Sequence, residues 1–170
     1  MKRVSWKYLA GFIDGEGCID VQGSVVPSYP HNLYIRPRLR VALADSSRSL
    51  LENFKLNFGG HICTRELSNK NSAWQNASSW EVTGYGPACS VLRNIVNHLI
   101  LKREQARLCL WMNEHIKGKQ IHQKVRDLIR DELSLMKRDP HRLSETAQTK
   151  VWDAIVEKPD SSFSLVEFRT

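Results

Sequence analysis

The sequence has 170 residues, 41% of them hydrophobic and 25% charged, which fits one compact domain and excludes wholesale disorder. No apolar run reaches the ~18–20 residues of a membrane span, and the N-terminus lacks a secretory signal, so an intracellular protein without membrane partners is expected. Lys and Arg number 25 against 18 Asp and Glu, and the net charge of +7 permits a polyanionic partner.

Hydrophobic periodicity in the first half predicts a helix followed by two strands. Ser5 is a candidate N-cap for a helix over 6–15, and Gly17 is its candidate terminator. Alternation then predicts strands over 18–30 and 33–44. Pro37 lacks the amide donor that a strand ladder uses, which predicts an edge position or a bulge there.

The second half predicts one more helix, two short strands and then helices only. The helix at 47–58 ends at two glycines, and strands at 61–66 and 78–83 flank a polar loop at 67–77. Helices are predicted over 87–99, 102–117 and 121–136, and Ser144 is expected to cap a last helix reaching about 157. This order indicates an α+β fold with one sheet, with a domain at 1–158 and a C-terminal tail at 159–170.

The first predicted helix carries an unusual arrangement of glycines and acids. Gly11 and Gly15 lie four residues apart on one face, where each costs about 1 kcal/mol relative to alanine and allows close backbone approach. Asp14 and Glu16 lie at the negative end of the helix dipole, where a hard divalent cation would compensate their charge. On these features alone, a helix that simply ends with solvated acids remains an alternative.

The whole segment 9–17, LAGFIDGEG, resembles the signature of the LAGLIDADG homing endonucleases, with Glu16 in place of the frequent second Asp. The stretches 99–106 and 144–146 are also similar to single-motif members of this family. The resemblance implies an αββαββα core whose single antiparallel sheet forms a DNA-binding saddle, followed by C-terminal helices.

The resemblance also implies a metal site at the end of the motif helix. Glu16 matches the acid that binds the catalytic metal, and the Gly15 carbonyl lies where the family often adds a ligand. Asp14 matches an acid that caps the paired motif helices. Mg²⁺ is the implied cofactor, with Mn²⁺ as a substitute, and Ca²⁺ is expected to support binding with little cleavage.

Three further catalytic residues are implied with less support from the motif. Lys102 matches the basic residue near the scissile phosphate, although a solvated lysine at a helix start is the alternative. The family often has Gln at the end of the second strand and a basic residue shortly after it. This sequence has no Gln there, and Asp45 and Arg48 are the candidates to supply those functions.

One chain supplies only one signature acid, so cutting both DNA strands requires two chains with adjacent motif helices. A closed two-fold pair implies a homodimer and a target of approximate two-fold symmetry. The expected dimer interface consists of Trp6, Leu9, Ala10, Gly11, Ile13, Asp14 and Gly15.

Side-chain alternation along the predicted strands separates an apolar face from a polar face that suits DNA. Three arginines fall on the polar face, and arginine both reads guanine and binds phosphate, although a solvated sheet face is the alternative. The expected DNA-binding residues on the strands are Asp20, Gln22, Ser24, Tyr34, Arg36, Arg38, Arg40, His61, Cys63, Arg65, Ser79, Glu81 and Thr83. Between the last helices, Arg138, His141 and Arg142 are expected either to hold the phosphate backbone or to form a solvated loop.

The sequence therefore predicts a homodimeric, Mg²⁺-dependent endonuclease that cleaves both strands of a long, pseudo-palindromic double-stranded DNA target and is encoded within an intron. An RNA maturase of the same fold and a non-cleaving DNA-binding protein are the rivals, since an Arg-rich sheet also suits RNA. The expected location is a prokaryotic cytoplasm or an organelle matrix. Neither the six histidines nor the four widely separated cysteines show a metal-binding spacing.

Overall fold

The computed structural model describes residues 3–26, 29–65 and 77–156. The elements are α1 (Trp6–Glu16), β1 (Gly17–Val26), β2 (Tyr29–Ala44), α2 (Arg48–Phe58), β3 (His61–Arg65), β4 (Ala77–Thr83), α3 (Tyr85–Ile95), α4 (Arg103–His115), β5 (Ile121–His122), α5 (Gln123–Arg138) and α6 (Ser144–Val156). The predicted α+β class and element order are confirmed. Most of the predicted polar loop, namely 67–76, and the tail at 159–170 lie outside the described residues.

The strands form one antiparallel sheet in the order β1-β2-β4-β3, and the short β5 pairs with the beginning of β2. The central strand β2 pairs with β1 from Val41 opposite Gly17 onward, and with β4 from Ala44 opposite Ala77 onward. The sequence places β5 within the start of a helix, so this two-residue strand is an addition.

Pro37 lies in the central strand, and the pairing with β1 runs through it without a bulge. The pairing with β4 ends at Arg38 opposite Thr83, and the Gly84 amide donates to the Pro37 carbonyl at 2.9 Å. In an antiparallel strand, the N–H and C=O of one residue point to the same neighbouring strand. The N–H that Pro37 lacks would therefore point toward the position just past the end of β4. Among the described residues, β2 at Pro37 is therefore paired on the β1 side alone, so the predicted edge position is confirmed locally and there is no bulge at this residue.

One face of the sheet packs against the helices and forms the hydrophobic core. The largest side chains that are fully buried there are Trp80, Phe54, Leu9, Ile13, Ile35, Leu39, Leu51, Leu92, Ile95, Leu99 and Leu108. None of the helices in the described ranges is long and apolar enough to cross a membrane.

Both ends of α1 are fixed by local contacts. The Ser5 side chain accepts a hydrogen bond from the Tyr8 amide at 3.2 Å, so the predicted N-cap is confirmed. Gly17 follows the helix with an ordinary φ of −85°. A Cβ at Gly17 would lie 2.7 Å from the Ile13 Cα and 2.9 Å from its carbonyl oxygen, so close packing is what requires glycine.

The last helix begins at Ser144, but its side chain is not the cap that the sequence predicts. Its hydroxyl is buried without a hydrogen-bond partner among the described residues. The Ser144 amide instead donates to Glu104 Oε2 at 3.0 Å, which places a carboxylate from α4 at the positive end of α6. The segments 99–106 and 144–146 thus meet in the folded chain.

Candidate metal centre and nucleic-acid interface

The C-terminal end of α1 is held by reciprocal hydrogen bonds to the turn that precedes α4. Lys102 Nζ donates to the carbonyl oxygens of Ile13, at 2.9 Å, and Asp14. The Asp14 carboxylate accepts from the backbone amides of Ile100, at 2.7 Å, and Lys102, at 2.9 Å. We call these four residues the α1–α4 clamp, and they fix the position of Glu16, which ends the helix.

Lys102 is buried, with 8% of its surface exposed. Burial lowers the pKa of this lysine below its ordinary value of 10.5, and the negative charge of Asp14 opposes that shift. Its ammonium group lies on the carbonyl end of α1, the negative end of the helix dipole. The structure therefore excludes a solvated lysine at this position, whereas a contact between Lys102 and a phosphate stays a prediction.

A pocket of about 180 Å³ lies beside the α1–α4 clamp. Its lining comprises Cys18, Ile19, Asp20, Lys102, Gln105, Arg130, Leu133, Ser134 and Lys137. Sequence reasoning missed the α5 residues, although the spacing of Arg130, Ser134 and Lys137 by four and three positions indicates one helix face. The pocket gathers cations from the turn before α4 and from α5, an arrangement that can hold an anion.

The oxygen donors at the end of α1 fit a hard divalent cation. The Glu16 carboxylate is exposed, and Gly15 contributes one of the last helix carbonyls, which lack partners within the helix. Mg²⁺ binds oxygen ligands and is held by one or two carboxylates together with water. The residues that the sequence assigns to the metal therefore have the right chemistry and accessibility.

Asp45 and Arg48 lie where β2 leads into α2, and their contacts are with the sheet and their own helix. The Ser78 hydroxyl donates to Asp45 Oδ1 at 2.6 Å. Arg48 Nη1 donates to the Thr64 hydroxyl at 2.7 Å, and Arg48 Nε lies 3.4 Å from a carboxylate oxygen of Glu52. These contacts fasten the beginning of α2 to β3 and β4, and the catalytic roles of Asp45 and Arg48 stay predictions.

The strand register places the predicted polar side chains on one face of the sheet, opposite the core. Facing positions include Asp20 with Arg38, Gln22 with Arg36, Ser24 with Tyr34, Arg40 with Glu81, Glu81 with His61, Ser79 with Cys63, and Thr83 with Arg38. Arg65 continues this alternation in β3, although its side chain lies outside the described part of the structure. We call this surface the polar sheet face, and its contact with DNA stays a prediction.

The three arginines of the polar sheet face differ in how firmly they are held. Arg38 donates to both carboxylate oxygens of Asp20, at 2.8 and 2.7 Å, and this hydrogen bonding raises the pKa of the guanidinium. Arg36 donates to the Ser24 hydroxyl at a longer distance of 3.4 Å. Arg40 Nε lies 3.4 Å from a Glu81 oxygen, and its side chain is 41% exposed. Arg36 and Arg40 are therefore the more available to an external partner.

Two other side chains of the polar sheet face are occupied within the chain. Ser79 is only 5% exposed, and its hydroxyl donates to Glu81 Oε1 at 3.1 Å, so it positions that carboxylate. The Tyr34 hydroxyl accepts from the Gln120 side chain at 3.1 Å. Tyr34 remains exposed, whereas Ser79 offers little surface to a partner.

The α1 residues predicted for a dimer interface divide into buried and exposed groups. Leu9, Ala10 and Ile13 have no exposed surface in the single chain, so they cannot bury more in an interface, and this part of the prediction is corrected. Trp6 is half-buried against Phe58, with ring centroids 4.6 Å apart, and Asp14 is half-buried in the α1–α4 clamp. Besides Glu16, the exposed residues of α1 are Lys7, Tyr8, Gly11 and Gly15.

The three residues predicted to contact phosphate between α5 and α6 differ in how firmly they are held within the chain. Arg142 donates to both carboxylate oxygens of Glu132, at 2.8 and 3.0 Å, and the Glu132 side chain is only 3% exposed. Glu132 also accepts from Lys150 Nζ at 2.9 Å, so Arg142 and Lys150 together compensate this buried charge, and a contact between Arg142 and a phosphate stays a prediction. Arg138 and His141 are exposed and remain candidates.

Comparisons with known proteins agree with this geometry. The family model described as LAGLIDADG endonuclease matches residues 9–115. The homing endonuclease I-CvuI, solved with its target in the presence of calcium, aligns with a TM-score of 0.61 at 23% identity over 86% of this chain and 94% of its own. The archaeal intron-encoded homing endonuclease I-Vdi141I, solved with DNA, aligns with a TM-score of 0.56 at 17% identity over 88% of this chain and 95% of its own. At these identities the two structures establish a shared fold, and no curated protein sequence matches the chain.

Proposed function

The chain belongs to the LAGLIDADG endonuclease family, and from this premise we propose that it is a homodimeric, site-specific endonuclease that cleaves both strands of a long, pseudo-palindromic DNA duplex. The observation that carries the proposal is the position of Glu16. Its carboxylate is exposed at the end of α1, beside a pocket that contains several cationic side chains. A protein that only binds DNA has no need of an acid that can hold a metal at this position.

The chain's own residues support phosphodiester hydrolysis at this place. The α1–α4 clamp fixes the end of α1, so that Glu16 and the Gly15 carbonyl can hold a divalent cation in one position. When bound, Mg²⁺ polarises a phosphate and lowers the pKa of a water molecule. The cations of the neighbouring pocket, among them Arg130 and Lys137, attract the phosphate backbone and offset its negative charge.

Cleavage of both strands requires two copies of this site, and the open side of α1 supports a dimer. Among the residues that the structure describes, an added Cβ at Gly11 or Gly15 would meet nothing within 4 Å, which leaves space beside both glycines for a second helix. Small residues let two helix backbones approach closely. A two-fold pair would bring the two Glu16 residues together and demand a target of approximate two-fold symmetry.

The polar sheet face supports duplex recognition. Its exposed arginines suit guanine edges and phosphates, and a two-stranded ribbon fits the major groove. The solved structures of I-CvuI and I-Vdi141I contain DNA, and both share this fold. The overall charge of +7 adds long-range attraction to a duplex.

The cofactor and the genetic origin that we propose are those expected for the LAGLIDADG family. Mg²⁺ is the proposed cofactor, with Mn²⁺ as a substitute, while Ca²⁺ holds its ligands at longer distances and is expected to support binding with little cleavage. I-Vdi141I is intron-encoded, and we extend that origin to this chain. A frame within an intron, in a prokaryote or an organelle, would make the joined exons the candidate target.

Selection of duplexes from a randomised pool in Ca²⁺, followed by exchange into Mg²⁺, tests the proposal. The expected result is a pseudo-palindromic consensus that is cut on both strands in Mg²⁺ or Mn²⁺. Tight, specific binding without nicking in either metal would refute the enzyme and support a DNA-binding regulator. Selection of RNA but not duplex DNA would support the maturase.

A further inference from the structure

We propose that His61, Cys63 and Glu81 form a zinc-binding site on the polar sheet face. His61 and Glu81 are directly paired across β3 and β4, and Cys63 follows two residues along β3 on the same face. One potential ligand atom of each residue lies within 4.8 Å of those of the other two. This site is separate from the oxygen donors of Glu16 and Gly15.

The geometry needs only a small adjustment to hold zinc. Zinc takes nitrogen and oxygen ligands at about 2.0–2.2 Å and sulfur at about 2.3 Å, so ligand atoms in a tetrahedral site are separated by roughly 3.3–3.6 Å. His61 and Cys63 are exposed, and rotation of their side chains can close the remaining gap of about 1 Å. Glu81 is half-buried and held by its neighbours, so it supplies a fixed reference point.

The chemical types of the three ligand side chains determine which class of metal the site prefers. Thiolate and imidazole ligands favour zinc and other borderline transition metals over Mg²⁺, which prefers oxygen. Cysteine binds as the thiolate, so its proton is released to solvent when the metal binds. Three protein ligands leave the fourth position to water, as in zinc sites that remain open to an outside ligand.

The positive charges of Arg38 and Arg40 disfavour the binding of a metal cation nearby, but neighbouring carboxylates partly compensate these charges. Arg38 is bound through both carboxylate oxygens of Asp20. Glu81 Oε1 accepts from the Ser79 hydroxyl and lies 3.4 Å from Arg40 Nε. Glu81 Oε2 lies 3.9 Å from Arg38 Nη1, beyond hydrogen-bond distance, so this oxygen can bind a metal without breaking either contact.

Titration of the reduced protein with Co²⁺, in the absence of DNA, tests the site independently of nuclease activity. The expected result is one Co²⁺ per chain with a thiolate-to-cobalt charge-transfer absorption that Zn²⁺ displaces. His61→Ala should weaken binding by at least ~10-fold, since losing even a supporting hydrogen bond of a ligand has an effect of that size. The matched variant His98→Ala, at an exposed histidine elsewhere, should bind like the wild type.

The cysteine variants identify the ligand. Cys63→Ser should remove the charge-transfer absorption, whereas Cys18→Ser, on strand β1 at the other end of the strand order, should keep it. Circular dichroism spectra must match the wild type in both variants, which is expected for Cys63 because its side chain is exposed. A wild type without the absorption would overturn the proposal, as would an absorption that survives in Cys63→Ser.

Discussion

At the scale of single residues, the signature acids and Lys102 are distinguished by their contacts. Asp14 and Glu16 are two positions apart, yet the Asp14 carboxylate accepts hydrogen bonds from two backbone amides while Glu16 remains exposed. Lys102 closes the same network from α4 by donating to two α1 carbonyls. The sequence motif identifies these residues as a set, but only the fold separates the positioning roles of Asp14 and Lys102 from the open carboxylate of Glu16.

The burial of Lys102 predicts a pH dependence of stability. The pKa of this lysine is lower in the folded chain than in the unfolded chain, so in the window just below 10.5 the unfolded state binds more protons. The free energy of unfolding of the wild type, relative to Lys102→Met, should therefore rise as the pH increases through this window. Urea unfolding of both proteins at about pH 8 and about pH 10 measures the difference.

Lys7→Met, which removes an exposed lysine of α1, controls for the general effect of losing a positive charge. A difference between the wild type and Lys102→Met that stays constant, or falls, with increasing pH would contradict the assigned burial.

The unequal contacts of the arginines predict unequal effects on base recognition. Arg40→Ala should weaken binding by about 1–3 kcal/mol, with discrimination lost at one symmetric pair of base positions. Arg38→Ala should change discrimination less, because the Arg38 guanidinium is already bound to Asp20. Affinities for a panel of duplexes with single base-pair changes measure both effects. Uniform weakening across the panel would make Arg40 a phosphate contact instead.

At the scale of elements, periodicity and capping rules predict most of the fold. Ser5 and the glycines at 59–60 mark helix ends correctly, because the side-chain cap and the positive φ angles are local properties. The strand β5 is missed because two residues are too short to show a period. The Ser144 amide is capped by Glu104, a contact between residues forty positions apart that local sequence rules do not contain.

The open space beside two glycines of α1 allows a substitution that is expected to disrupt the dimer without disrupting the fold of the single chain. Gly11→Leu should leave the fold of the single chain intact, since no described residue lies within 4 Å of the added Cβ, but it should push paired helices apart. Sedimentation at micromolar concentration should show monomers or aggregates for this variant and dimers for the wild type.

Gly86→Leu is the matched control, because Gly86 is also an exposed helical glycine with open space at its Cβ. This variant should remain dimeric. A well-behaved Gly11→Leu dimer would contradict the proposed interface.

At the scale of the whole molecule, the sequence predicts the polar face of the sheet better than it predicts groups of side chains that come from different parts of the chain. Period-two alternation identifies the polar sheet face, because β1 and β2 pair in the register that the pattern requires. The pocket beside Lys102 is not predictable in this way, since its cations come from the turn before α4 and from α5 and meet only through packing. The ion pair between Arg142, in the loop after α5, and Glu132 of α5 likewise forms only through packing, and it engages Arg142 within the chain.

A DNA interface spread over the sheet and the last helices predicts a steep dependence of affinity on salt. Each phosphate neutralised on a duplex contributes about 0.9 to the slope of log affinity against log salt concentration. A dimer that uses several basic residues per chain should show a slope of magnitude at least ~6. Fluorescence anisotropy with a labelled target duplex measures it, and a flat response would argue against extended contact with the backbone.

The central claim is that Glu16 holds the metal that cleaves DNA, and the most direct measurement compares cleavage by the wild type and Glu16→Gln on the selected target in Mg²⁺. The variant keeps the size of the side chain but loses the charge, so binding should persist while cleavage falls by at least ~10²–10³, the scale of losing one major electrostatic element of a site. Glu114→Gln, at an exposed acid of α4, should cleave like the wild type. Full cleavage by Glu16→Gln would contradict the account and return the search for the metal ligand to Asp14 and Asp20.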